Sequence, residues 1–133
     1  MLMRSINVLI FAFSITGCTS VAPIDFNADV VERLYFGRSI RDGGTVTESS
    51  WAAFMQQSIT PRFPNGFTVW KAEGQWQGSD KALVREQSFV VEIIHPADAV
   101  DAGNAIKQII DEYKRLYRQE SVLHVITPAK ADY

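Results

Sequence analysis

The two histidines, His95 and His124, are the side chains of this sequence that titrate nearest neutral pH. An imidazole can do acid–base work when a carboxylate or a phenol stands within reach of it. Strand alternation suggests such company for His124. Residues two apart in a strand share a face. That rule puts Arg33, Tyr35, Trp70, Trp76, Glu92 and His124 on one face of a sheet, with Val90, Ile94, Val122 and Ile126 between them. A face of this make-up could hold a small molecule between aromatic walls, with His124, Glu92 and Tyr35 as acid–base groups in the event of a reaction. It could equally be the semi-polar face of a homodimer, or a solvated surface. Arg62 is a separate candidate. It sits in Thr60–Gly66, which reads as a helix stop and a turn, and a turn needs no guanidinium. Arg62 therefore pairs with an acidic neighbour or clamps an anionic ligand. The two histidines fall in different strands with opposite expected facings, so no metal site is expected. His95, just before Pro96, reads as a strand-end cap. No nucleophile elbow, phosphate-cradling glycine loop or other cofactor motif is present.

The stretch from Thr60 to Gly78 has to position most of this. Pro61 cannot continue a helix, Pro64 fixes its own φ, and Asn65-Gly66 supplies the positive φ of a reversal. An alternating strand follows, with Thr68, Trp70, Ala72, Gly74 and Trp76 on one face. Two tryptophans flanking Ala72 and Gly74 leave a shallow trough. Before this stretch, Val30–Ser39 reads as a strand with Glu32, Leu34 and Phe36 on one face and Val31, Arg33, Tyr35 and Gly37 on the other. A helix then starts at the N-cap Thr47, with Val46 stapled to Trp51 and with Trp51, Phe54, Met55 and Ile59 along one stripe. After the trough, Gln87–His95 is the most continuously apolar strand, which suggests a central place. A second helix runs from about Asp98 or Asp101 to Tyr117, burying Ala102, Ile106, Ile109, Ile110, Tyr113, Leu116 and Tyr117. Ser121–Thr127 is the last strand.

The chain of 133 residues opens with Arg4 and an apolar run from Ile6 to Ile15, too short to span a bilayer and of signal-peptide length. It ends in Ile15-Thr16-Gly17-Cys18. This resembles the lipobox of bacterial lipoprotein signals, in which an aliphatic residue and two small ones precede the acylated cysteine. The resemblance implies a signal peptide over 1–17, a lipidated tether over 18–29 and a folded domain over 30–133. It also gives the single cysteine a role, because several acyl chains of the palmitate kind on Cys18 anchor stably where one alone is marginal. An ordinary secretory signal followed by a free thiol is the alternative. With Cys18 lipidated, no disulfide and no thiol chemistry remain. Thr19, where inner-membrane retention favours aspartate, implies the periplasmic face of the outer membrane in a Gram-negative host. The formal net charge is −2 and no basic cluster appears, so nucleic acid is not an expected partner.

The order strand, helix, strand, strand, helix, strand gives an α+β domain of the ferredoxin-like βαββαβ kind. It has a four-stranded antiparallel sheet in the order 4-1-3-2 and two helices on one face. The other face is uncovered. Leu34-Tyr35-Phe36-Gly37, Thr60-Pro61-Arg62-Phe63-Pro64, Gly74-Gln75-Trp76, His95-Pro96 and Gln119-Glu120-Ser121-Val122 together resemble an uncharacterised bacterial family, domain of unknown function 3574. That family implies no reaction. The expectation is thus a lipid-anchored envelope domain that binds a ligand or a protein through its open sheet face. The alternative is a small-molecule enzyme resembling the dimeric α/β-barrel proteins.

Overall fold

In the computed structural model, which describes residues 28–41, 43–77 and 81–132, the apolar run Phe89-Val90-Val91 lies fully inside the protein. It belongs to β3 (Leu83–Pro96), flanked by β2 (Thr68–Gln77) on one side and β1 (Asp29–Gly37) on the other. β4 (Leu123–Ala129) completes the sheet beyond β1, in the order β2-β3-β1-β4, with every pairing antiparallel. This is the expected order 4-1-3-2 read from the other edge. β3 is longer at its start than expected, because Leu83–Glu86 pair with Gly74–Gln77 in a continuous hairpin.

α1 (Glu48–Phe54) begins at Thr47, whose hydroxyl accepts from the Ser50 backbone N–H at 3.1 Å. The helix does not stop at Phe54 but widens into a π-helical stretch, Met55–Ile59, in which the Thr60 N–H reaches the Met55 carbonyl at 2.9 Å. Pro61 has no N–H to continue either pattern. Gly66, at φ +123°, makes the reversal into β2 in a region that a side chain would strain. α2 (Val100–Tyr117) ends at Arg118 in the left-handed conformation. Its buried stripe is Ala102, Ile106, Ile109 and Tyr113. Leu116, expected there too, is 51% exposed because it falls at the edge of the stripe.

Both helices pack on one face of the sheet, and the core lies between. Trp51 stacks on Phe89 with ring centroids 4.5 Å apart and planes 5° from parallel, while Phe36 meets Tyr113 edge-on at 4.7 Å. Two phenols fasten α2 in place. Tyr113 donates to the Gly37 carbonyl at 2.8 Å, and Tyr117 to the Ser50 carbonyl at 3.0 Å. The sequence order and this one-sided arrangement are those of the ferredoxin-like fold. Among the described residues no helix is long and apolar enough to cross a membrane. The expected signal peptide, Cys18 and most of the tether lie outside the described residues.

Candidate functional site

The strand registers decide which side chains meet on the open face. Arg33 pairs with Glu92 and Tyr35 with Val90 across β1 and β3. Trp70 pairs with Val90, Ala72 with Ser88, Gly74 with Glu86 and Trp76 with Val84 across β2 and β3. Arg33, Tyr35, Trp70, Trp76 and Glu92 therefore share the face that the helices leave uncovered. The Arg33 Nε donates to Glu92 Oε2 at 2.6 Å, so two of the expected ligand-binding groups already satisfy each other. Trp70 and Trp76 are 38% and 54% exposed, and Ile94 and Leu123 stand open on the same face.

His124 is not there. It pairs with Leu34, and Val125 with Arg33, so it is Leu123 and Val125 that face outward from β4. Ile126 opposes Glu32 and Val122 packs against the helix-side core, both likewise on the side opposite to that expected. The facing expected for His124 fails because apolar residues flank it on both sides and the strand shows no alternation. His124 and His95 instead share the helix side, where each Nε2 contacts the buried carboxylate of Glu32. His95 Nδ1 also donates to the Pro96 carbonyl at 2.8 Å, so it ties down the end of β3. No group of three or more His, Cys, Asp or Glu among the described residues has an arrangement that could hold a metal ion.

Arg62 also leaves the list of free groups. Its Nη2 donates to Glu112 Oε1 at 2.7 Å and its Nη1 to the Ser58 carbonyl at 2.7 Å. The Ser58 hydroxyl donates to Glu112 Oε2 at 2.6 Å. These bonds hold the Glu112 carboxyl below its ordinary pKa, the Ser58 hydroxyl contributing most and Arg62 next among the groups that lower it. The guanidinium pins the turn to α2, the first of the two roles its place in the turn allowed.

Two of the clefts among the described residues bear on the candidate groups. One, of about 560 Å³, is bordered by the Thr60–Gly66 turn with Glu92, Ile94 and His95. Its ionisable side chains are already engaged, Glu92 with Arg33, Arg62 with Glu112 and His95 with Glu32. The other, of about 530 Å³, lies at the opposite end of the open face and is lined by Tyr35, Trp76, Glu86, Ser88, Gln119 and Leu123 among others. It extends the trough, whose floor Gly74 leaves open beside Glu86. Glu86, Ser88 and Gln119 escaped the sequence reading. A strand expected to begin at Gln87 leaves Glu86 outside it and gives Ser88 no role. The apolar–polar alternation of Leu83-Val84-Arg85-Glu86 is weak, and only pairing with β2 makes it a strand.

Fold and face together define a ferredoxin-like α+β domain with an aromatic-rimmed trough on its uncovered side. The chain belongs to the family described as proteins of unknown function DUF3574, whose model matches residues 31–133. No curated protein matches it in sequence. Among solved structures it is similar to a phage SAM lyase in complex with S-methyl-5′-thioadenosine, at 16% identity and a TM-score of 0.58, covering 85% of this chain and 97% of that one. It is similar also to a phage SAM lyase in the apo state, at 20% identity and a TM-score of 0.58, covering 80% of this chain and 86% of the other. At such identity the likeness is one of fold.

Proposed function

We propose that this protein is a lipid-anchored binding protein of the bacterial cell envelope, whose open sheet face takes up a small molecule in the trough beside Trp76. The observation that carries this reading is the cleft at the end of that face. It joins an exposed indole and a phenol to the Glu86 carboxylate and the side-chain oxygen of Gln119, which both face Gly37. Apolar walls with a few placed polar groups are the usual make-up of a small-molecule site. The lipobox around Cys18 supports the envelope location, with Thr19 favouring the outer membrane in a Gram-negative host. A phage protein of the same fold holds S-methyl-5′-thioadenosine. That supports the fold as a frame for small ligands, and nothing narrower.

The enzyme alternative loses the triad first considered for it, because Tyr35 and Glu92 share a face from which His124 is turned away. Association of two copies through the sheet face is the second reading, favoured by the exposed Trp70, Ile94 and Leu123. One experiment separates these. A small-molecule library is screened by thermal shift on the purified protein, with its mass in solution measured alongside. A hit should bind the Trp76→Ala variant more weakly by about 2 kcal/mol, or roughly 30-fold. If Trp76→Ala halves the mass and no compound shifts the melt, the face is an interface between copies and the small-molecule reading fails.

A further inference from the structure

Gly37 marks an unusual meeting of oxygens. It ends β1 on the open face, where a Cβ would collide with the Glu86 carboxylate and stand 3.3 Å from Gln119 Oε1. Both acceptors thus converge over the same bare stretch of backbone. The Gln119 amide cannot simply turn round. Its Nε2 donates to the Ser39 carbonyl at 2.6 Å and to the Tyr117 carbonyl at 3.3 Å, which spends both N–H groups and leaves Oε1 toward Glu86. Glu86 itself is half-buried, and no side chain among the described residues pairs with its carboxylate. Two acceptors that face the cleft with no donor between them match a group that brings N–H donors and positive charge.

On the reading of the trough as a small-molecule site, we propose that the group seated over Gly37 is a protonated amine carried on an apolar or aromatic body. An ammonium brings the charge that Glu86 lacks and the donors that both oxygens need. Tyr35 and Trp76 line the same cleft, and their ring faces attract a cation as well as an apolar body. The other charges of the cleft leave this intact. Arg41 is paired with Glu120, and Arg118, which also lines the cleft at the end of α2, is itself engaged in an interaction.

The test compares three ligands with one ring and different heads, phenethylamine, 2-phenylethanol and 3-phenylpropionate, titrated against the full-length protein by calorimetry and tryptophan fluorescence near pH 7. Phenethylamine should bind about tenfold or more tightly than the alcohol, with the carboxylate weakest. Glu86→Gln keeps the shape and breaks no existing pair, so it should fold as the parent does. It should erase the advantage of the amine while changing the affinity for the alcohol far less. The proposal is overturned if the amine binds no better than the alcohol. It is overturned equally if the preference survives in Glu86→Gln. Should Trp76→Ala weaken all three alike while the amine shows no advantage, the trough remains a ligand site and only the amine assignment falls. Should none of the three bind at millimolar concentration and no library compound shift the melt, both readings fall together.

Discussion

Trp51 shows how a single residue can be read from sequence and still hold something back. Its place was legible because the N-cap Thr47, the apolar Val46 and the spacing to Phe54 all give the same helix phase. The fold adds the stack on Phe89 and ring contacts with Phe36, Phe54 and Tyr113. It also leaves the indole N–H buried with no acceptor among the described residues, which offsets part of the gain. Trp51→Ala should lower stability by about 3–5 kcal/mol in denaturant unfolding, since a cavity opens among rings that cannot close over it. A loss of under about 1 kcal/mol would mean that the aromatic cluster is not the centre of the core. His124 is the opposite case. Leu123 and Val125 on one side and Val122 and Ile126 on the other give an edge strand with no polar–apolar rhythm. Its facing is fixed by pairing with β1, which no local pattern records.

Among the elements, the strands and helices were legible in type and order, and their ends were less so. The start of β3 depends on the hairpin with β2, and the π-helical turn after Phe54 follows no propensity signal. That turn carries Ser58, and Ser58 with Arg62 grips Glu112 on α2. The grip makes the joint between the first helix and α2 sensitive to acid. With the folded pKa of Glu112 held below 4.5, the ionised form favours the fold. This contribution is fully present above the ordinary glutamate range. It fades as the pH falls below 4.5 and through the lowered folded value. Glu112→Gln should therefore flatten the acid limb of a stability-against-pH curve and leave its slope near neutrality unchanged. An acid limb identical to that of the parent would show that the joint does not take part in acid unfolding.

The whole molecule puts a structured domain, with one face covered and one bare, behind a short N-terminal segment that ends in a candidate lipid site. The described surface offers little else to hold it at a membrane. No helix there is apolar enough to cross, and the net charge of −2 gives no attraction to an anionic leaflet. On the proposed envelope location, acyl chains on Cys18 would supply the holding force. Each methylene buried in the bilayer adds about 0.8 kcal/mol, so loss of the chains removes far more than the remaining contacts can replace. Cys18→Ser should move the protein from the membrane pellet to the soluble fraction, or leave it unprocessed with its apolar leader attached. The N-terminal peptide of the parent, analysed by mass spectrometry, should carry the diacylglyceryl mass on Cys18. The domain itself should be indifferent. Cys18 precedes β1 in the sequence and the buried core is built from residues between Val31 and Tyr113, so the melting temperature of the released serine variant should match that of the parent. A serine variant that is still cut at the same bond and still sediments with membranes would assign the anchor to something other than lipid on this cysteine, and with it the envelope location proposed for the trough.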